Sequence, residues 1–259
     1  MELRQLRAFV RVVELGSISR AALDLNVVQS ALSQQITKLE SELSTRLLQR
    51  SPQGVTPTEA GVAFFREAQL TLRHAVQAVR AALRPGDELQ IDANGGWNLA
   101  GARQMIPWLA EQGVVLVEQP LAPLLDVEAD TAGFAALQGL APIPVVADES
   151  CWDLADLLRL APYVQGINIK LVKCGGLSEG LLMARTARRL GLGVMLGCYS
   201  DGGLLNSGAA QLLPLVQWPD LDSHLNLIDD PFAGPDREGD VLRPAARLGL
   251  GAQLLQEVA

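Results

Sequence analysis

Cysteine is scarce in this 259-residue chain, and long apolar runs are missing from it. The three cysteines, Cys151, Cys174 and Cys198, are odd in number and have none of the spacings of metal sites. The sequence therefore predicts neither a disulfide framework nor a cysteine metal site. No stretch reaches the ~18 apolar residues that a membrane span needs, and the first residues do not resemble a secretory signal. We expect a soluble, cytoplasmic protein with reduced thiols and no membrane partner.

Charge is distributed unevenly along the chain. Residues 1–83 carry 10 Lys and Arg against 7 Asp and Glu, a net of +3, whereas residues 84–259 carry 11 against 22, a net of −11. Such asymmetry indicates two parts with different partners. The basic part is the candidate for binding nucleic acid.

The first third of the chain has the apolar periodicity of three short helices. The first helix ends near Gly16, the second covers Ile18–Leu25 after a capping Ser17, and a turn at Asn26 leads to the third, Gln29–Leu43. The third helix has an apolar stripe and a face rich in amides and hydroxyls. Such a face suits base recognition, with lysine for phosphate. Its residues are Gln29, Ser30, Ser33, Gln34, Thr37 and Lys38.

Two further elements are predicted after the third helix. Residues 46–55 contain Arg50, Pro52 and Gly54 and read as a small wing. Thr56–Glu59 has the pattern of a capping box with Pro57 at the first helical position. Apolar residues on the following helix repeat nearly as in a coiled-coil seam. They are Phe65, Leu72, Val76, Val79 and Leu83.

Together these motifs resemble the DNA-binding domain of LysR-type transcriptional regulators over residues 1 to about 75. The resemblance implies that Gln29, Ser30, Ser33 and Gln34 lie in the major groove of double-stranded DNA. It also implies that Lys38 and Arg50 approach phosphates and that the helix after Thr56 pairs two protomers into a homodimer. One position departs from the family: Val28 stands where relatives carry a capping Ser, at a cost of ~1 kcal/mol.

From residue 88 onward, short apolar runs alternate with amphipathic stretches, which predicts parallel βα units. Three runs end in a carboxylate, Asp92, Glu118 or Asp148, and a fourth ends in Lys170. Three carboxylates at adjacent carboxyl ends would suit Mg²⁺, with the lysine as proton acceptor. The runs are Leu89–Asp92, Val114–Glu118, Ile143–Asp148, Gly166–Lys170, Gly193–Gly197 and a weaker one at Leu221–His224.

Residues 85–232 resemble the barrel domain of the enolase superfamily, especially its dipeptide epimerases. The resemblance implies that Asp92, Glu118 and Asp148 bind Mg²⁺ and that Lys170 is one acid/base. It implies further that Asp220 and Asp222 hold the ammonium group of a dipeptide ligand. Asp201 stands where relatives often have Glu, and Lys173 is expected to be structural or outer-shell.

Several parts of such an enzyme are missing from the sequence. A full (β/α)₈ barrel needs about 250 residues, and 176 residues follow residue 83. The expected first two strands, the capping domain and any Lys-x-Lys motif are absent. Nothing resembles the effector domain of a LysR-type regulator either, and the two resemblances meet within one helix, residues 70–83.

The predicted fold class is α + α/β: a winged helix-turn-helix with a linker helix, then an incomplete TIM-type (β/α) barrel of about six strands. The predicted domains are residues 1–60, 57–84 and 85–259. The leading hypothesis is a sequence-specific DNA-binding regulator-like protein with a truncated, inactive epimerase-like barrel, in which any Mg²⁺ binding is weak. The alternatives are a Mg²⁺-dependent dipeptide epimerase and a non-functional fusion of two reading frames.

Overall fold

A computed structural model describes residues 2–25, 27–51, 54–239 and 241–255. Asn26 of the predicted turn and Pro52 of the predicted wing lie outside the described residues, as does the side chain of Leu72. The chain forms two compact units. The first contains residues 1–115 and 120–122, and the second contains residues 116–119 and 123–259. The boundary predicted at residue 85 stays a prediction.

Three helices open the first unit: α1 (Leu3–Leu15), α2 (Ile18–Asp24) and α3 (Gln29–Glu42). Gly16 ends α1 with a positive φ of 62°, a left-handed conformation that glycine adopts without steric cost. Ser17 caps α2 as predicted, because its side chain accepts the backbone N–H three residues further on. The three helices therefore begin and end within about two residues of the sequence prediction.

An antiparallel hairpin follows, formed by β1 (Leu48–Ser51) and β2 (Gly54–Pro57), and then the long helix α4 (Glu59–Ala82). The prediction that Pro57 begins this helix is wrong. Pro57 ends β2 and pairs with the first residue of β1, and Thr58 is the residue that caps α4. A proline at the end of a short edge strand costs no ladder hydrogen bond, so it is tolerated there.

The core of the first unit forms where α1, α2 and α3 turn their apolar faces inward. Leu32, Ile36 and Leu39 of α3 have no exposed surface, and they pack in one cluster with Phe9 and Val12 of α1. The rings of Phe9 and Phe64 add an edge-to-face contact with centroids 5.2 Å apart. With its apolar stripe buried in this way, α3 presents its other face to solvent.

The first unit continues into β3 (Leu89–Asp92) and α5 (Leu99–Glu111) and ends inside β4 (Val114–Glu118). Both strands have the bounds that the apolar runs predict. The side chain of Asn98 accepts the N–H of Gly101 at 2.8 Å and so caps α5.

In the second unit, helices alternate with strands that continue the sheet in the order β3-β4-β5-β6-β7-β8. The pairings from β4 to β8 are parallel. These strands are β5 (Val145–Ala147), β6 (Gly166–Ile169), β7 (Gly193–Leu196) and β8 (Trp218–Pro219). The helices are α6 (Val127–Ala135), α7 (Leu154–Leu160), α8 (Leu171–Cys174), α9 (Leu177–Arg189) and α10 (Gly203–Ala210).

The last strand of the sheet is displaced from its predicted place. β8 occupies residues 218–219, and residues 223–226 of the predicted strand form a short 3₁₀ turn. Two small antiparallel pairs follow, β9 (Phe232–Ala233) with β12 (Gln253–Leu254) and β10 (Asp236–Glu238) with β11 (Val241–Arg243).

The strands β5, β6 and β7 are buried along their whole length, as expected for a parallel sheet covered by helices. The six-stranded arrangement fits an incomplete (β/α) barrel, as predicted. No helix within the described part of the chain is long and apolar enough to cross a membrane.

Replacing Thr58 by Ala tests the cap of α4. The Thr58 hydroxyl oxygen accepts the N–H of Gly61 at 2.9 Å, and the hydroxyl donates to the carbonyl of Arg46 at 2.8 Å. We expect Thr58→Ala to lower the free energy of unfolding by about 1–2 kcal/mol. The measurement is urea unfolding followed by circular dichroism. Thr71→Ala on the same helix is the matched control, and equal losses in the two variants would contradict the capping role.

Candidate functional site

The predicted DNA-reading residues lie on the solvent-facing side of the first unit. Gln29, Ser30 and Gln34 on α3 are exposed, and Ser33 is half-buried. Lys38 is exposed and lies 3.9 Å from Glu2 and 4.0 Å from Glu42, at the limit of an ion pair. Such surface contacts contribute little, so Lys38 is available to another anion.

The beginning of α3 shows the effect of the unusual residue at its cap. Val28 is the N-cap and has no side chain that can accept a hydrogen bond. Gln29 is held instead from α2, because the hydroxyl of Ser19 donates to its side-chain oxygen at 3.0 Å. Arg50 is exposed on β1, within the hairpin that follows α3. The sequence did not predict the contact between Ser19 and Gln29.

The second unit contains a buried ionic cluster at the ends of β5 and β6. Asp148 has no exposed surface. One of its oxygens accepts from Lys170 Nζ at 2.5 Å, and the other accepts from Lys173 Nζ. Lys173 Nζ also donates to the backbone carbonyls of Asp148, at 2.7 Å, and Asn168, at 3.1 Å. Lys173 is thus a central member of this cluster.

Charge pairing decides the protonation states in this cluster. Burial alone would raise the pKa of Asp148, but Lys173 and Lys170 together hold that pKa below its ordinary value. Burial disfavours the charged form of Lys170, yet Asp148 outweighs it and raises the pKa of the lysine. The ammonium of Lys170 also lies 4.3 Å from the ring centroid of Tyr199, a cation–π contact. Lys170 is therefore a protonated group at neutral pH.

A polar network that the sequence did not predict supports the cluster. Gln119 accepts the backbone N–H of Asp148 at 2.8 Å and donates to the hydroxyl of Ser150 at 2.9 Å. The Ser150 hydroxyl donates in turn to Asp130 at 2.9 Å, which is also paired with Arg159 at 3.0 Å. These buried groups fix the backbone that carries Asp148. Single residues far apart in the sequence give no signal of such a network.

The other two predicted ligands differ in burial. Glu118 is buried, and one of its oxygens accepts from the Asn168 side chain at 2.6 Å. Asp92, in the first unit, is exposed and accepts from the backbone N–H of Asn94 at 2.7 Å and from its side chain at 3.1 Å.

The predicted substrate-binding aspartates are both exposed. Asp220 follows β8, and its backbone carbonyl accepts from the thiol of Cys198 at 3.2 Å. Asp222 precedes the 3₁₀ turn at 223–226. Asp201 lies close in the structure, since its carbonyl accepts from the Ser223 hydroxyl at 2.8 Å.

The predicted Mg²⁺ ligands are not assembled into a metal site among the described residues. Carboxylate oxygens are suitable ligands for the ion, but each Asp148 oxygen is already bonded to an ammonium group. Within residues 2–25, 27–51, 54–239 and 241–255, no three His, Cys, Asp or Glu side chains form a group that could hold a metal ion. The structure therefore shows Asp148 in an ion-pair cluster, and the predicted Mg²⁺ site stays a prediction.

Comparisons with known proteins separate the two parts of the chain. Residues 3–62 match the lysR family of bacterial regulatory helix-turn-helix proteins, and residues 65–258 match the enolase C-terminal domain-like family. The two matches meet between residues 62 and 65, near the beginning of α4 and upstream of the 70–83 expected from the sequence. The second match continues to residue 258, beyond the predicted limit of 232.

Several curated relatives of the chain are dipeptide epimerases. The chain is 39% identical over 181 residues to a hydrophobic dipeptide epimerase of a Flavobacteria bacterium (strain MS024-2A), covering 70% of this chain and 50% of the relative. It thus spans about half the length of the curated relatives that it matches.

Two solved structures show the same likeness. The substrate-liganded L-Ala-D/L-Glu epimerase from Bacillus subtilis superposes with a TM-score of 0.62 at 28% identity, over 68% of this chain and 50% of that one. The dipeptide epimerase from Enterococcus faecalis V583, complexed with Mg and the dipeptide L-Leu-L-Tyr, gives 0.56 at 32% identity, over 61% and 45%. Because the family match extends over most of the chain, this protein belongs to the enolase C-terminal domain-like family, with a LysR-type helix-turn-helix at its start.

Proposed function

We propose that the chain is a sequence-specific DNA-binding, regulator-like protein whose epimerase-like part does not epimerise dipeptides. The observation that carries the first half is the exposed polar face of α3 above a fully buried apolar stripe. A helix held this way can enter the major groove without losing core packing. The match of residues 3–62 to a family of regulatory helix-turn-helix proteins supports this reading.

The proposal assigns a task to each residue of this surface. Gln29 and Gln34 contact base edges, because amides pair bidentately with adenine, and Ser30 and Ser33 add hydroxyl contacts. Lys38 and Arg50 bind phosphates, the second from the β1–β2 hairpin, which serves as the wing. Phosphate contacts position the protein, and base contacts give specificity.

The proposed homodimer forms through the outer surface of α4. The predicted seam is available only in part, because Phe65 packs into the core of the first unit. Val76 and Leu83 are half-buried, whereas Val79 is 49% exposed. The carboxyl-terminal half of α4 is therefore the part that we propose contacts a second copy.

The proposed lack of epimerase activity rests on the absence of a second proton-transfer group from the sequence. Epimerisation requires a group that removes a proton from one face of the substrate carbon and another that delivers a proton to the opposite face. Lys170 is the one acid/base that the resemblance assigns in this chain, and a single lysine can serve only one face of the substrate carbon. The chain contains no Lys-x-Lys, the motif that the resemblance places on the opposite face.

A chance fusion of two reading frames is the remaining alternative. The single helix α4, 24 residues long, extends across residues 62–65 where the two family matches meet. Its amino-terminal half contributes Phe64 and Phe65 to the core of the first unit. This continuity favours one folded chain over two unrelated halves.

Removing the amides of α3 should relax sequence preference. A duplex library selected with the whole chain gives the preferred site. We expect Gln29→Ala and Gln34→Ala each to lose ~1–3 kcal/mol of discrimination between that site and a mismatched one. Binding of all proteins should weaken steeply as salt increases, because counterions are released from the phosphates. Gln77→Ala, exposed on α4, is the matched control, and unchanged discrimination in both α3 variants would contradict the base-reading role.

Placing a charge on α4 should separate the protomers. Val79→Glu would bury a carboxylate at the proposed contact, so we expect sedimentation equilibrium to shift from dimer toward monomer. Leu182→Glu on α9, which replaces another half-exposed apolar residue, should leave the dimer intact. A wild-type chain that stays monomeric at high concentration would rule out this interface.

The proposed lack of epimerase activity is tested by incubating the protein with L-Ala-L-Glu and Mg²⁺ in D₂O. We expect no inversion of configuration, and any deuterium uptake at the α-carbon should proceed with retention. The full-length L-Ala-D/L-Glu epimerase of Escherichia coli serves as positive control. Deuterium uptake and configuration are followed separately by NMR and chiral chromatography.

One result would reverse this conclusion. Inversion by the wild-type chain that disappears in Lys170→Ala, with circular dichroism unchanged, would identify the chain as an epimerase. The variant Asp220→Asn, altered at an exposed carboxylate, would then show whether the predicted substrate contact exists.

A further inference from the structure

The first unit contains a cleft that neither family resemblance assigns as a carboxylate site, although Asp92, a predicted Mg²⁺ ligand, lies on its wall. Its volume is about 320 Å³, within the range of small-molecule sites. One wall comes from α1 and α4, and the other comes from β3, the loop 93–98 and α5. All of these residues belong to the first unit.

The walls of the cleft are largely apolar. Trp97 contributes the one aromatic ring among its described lining residues. The ring or aliphatic part of a ligand could pack against these side chains. Its transfer out of water would favour binding in proportion to the apolar area buried. The other large apolar side chains are Val10, Leu25, Val76, Ile91, Met105 and Leu109.

Two arginines lining the cleft lack an anionic partner among the described residues. Arg7 makes no hydrogen bond or ion pair there, and a Cβ placed on Gly96 would lie 3.3 Å from its Nη2. Its guanidinium thus reaches the loop that forms the opposite wall. The guanidinium of Arg73 lies 5.4 Å from the ring centroid of Trp108 and has no carboxylate beside it.

The remaining charges of the cleft are already engaged. Arg11 is buried and paired with Asp24, and it also contacts Glu14 at 3.1 Å. Asp92 accepts two hydrogen bonds from Asn94. The five charged residues that line the cleft have a net charge of +1. Arg7 and Arg73 are the two of them whose guanidinium groups form no ion pair with a carboxylate among the described residues.

We propose that this cleft binds a small organic monocarboxylate with an apolar body. The carboxylate would accept hydrogen bonds from the guanidinium groups of Arg7 and Arg73, since guanidinium donors match its two oxygens. The apolar body would pack against Trp97 and the aliphatic wall. The inference stands independently of DNA binding and of epimerase chemistry.

Benzoate and benzamide are the matched probes, because they share a ring and differ in charge. Titration of the whole chain by calorimetry, with tryptophan fluorescence as a second signal, should show saturable binding of benzoate. Benzamide should bind at least about tenfold more weakly, as expected when a charge-assisted hydrogen bond is lost.

The arginine variants locate the site. Arg7→Gln and Arg73→Gln should each weaken benzoate binding about tenfold, whereas Arg185→Gln, exposed on α9, should leave it unchanged. Arg7 is exposed and makes no hydrogen bond or ion pair with the described residues, so Arg7→Gln should keep the fold. Arg7→Gln therefore tests the site even if Arg73→Gln disturbs α4 by removing the contact with Trp108. No saturable benzoate binding, equal affinity for benzamide, or unchanged affinity in Arg7→Gln would overturn the proposal.

Discussion

The second unit depends on the neutralisation of one buried carboxylate. Asp148 is fully enclosed, and a charge in such a place is tolerated only when it is paired. Lys170 and Lys173 provide the pairing, and because Lys173 also binds the carbonyl of Asn168, the ends of β5 and β6 are joined through ammonium groups. Since the pKa of Asp148 is lowered on folding, this stabilisation is present above the ordinary aspartate pKa and is lost as pH falls through the folded value.

A second constraint acts on α4, because the apolar residues of this one helix pack into the core of the first unit and also line its cleft. Its amino-terminal half is committed to the first unit, where Phe64 and Phe65 contact the helix-turn-helix core. Farther along, Val76 lines the cleft, and Val79 remains exposed. A seam read as continuous from spacing alone is therefore divided among a core, a cleft and a solvent-facing segment. Spacing predicts which residues share a face, but it does not predict what covers that face.

The sequence predicted the elements best where the signal is local. The bounds of β3 and β4 follow directly from apolar runs, and the cap at Ser17 follows from a hydroxyl before a helix. The prediction from the sequence was wrong where two local rules apply to the same residue. Pro57 fits the first turn of a helix and also the end of a strand, and pairing with β1 decides for the strand. The β8 strand is only two residues long, too short for any periodicity.

In the candidate sites, too, local features could be predicted from the sequence and contacts between distant residues could not. The exposed face of α3 could be predicted, because helical spacing separates it from Leu32, Ile36 and Leu39. The network of Gln119, Ser150 and Arg159 could not, because its members come from different elements and meet only in the folded chain. Lys173 was expected to be structural or outer-shell, and its contacts with Asp148 could not be predicted from the sequence. The helical turn of α8 returns its ammonium group to Asp148.

The identity of ligand residues does not by itself establish a metal centre. Carboxylates at strand ends can be neutralised by a divalent cation or by neighbouring ammonium groups, and both satisfy the same electrostatic requirement. In this chain the ammonium groups of Lys170 and Lys173 occupy both oxygens of Asp148. The pairing with Asp148 also raises the pKa of Lys170. The same pair of residues can therefore stabilise the fold whether or not it takes part in chemistry.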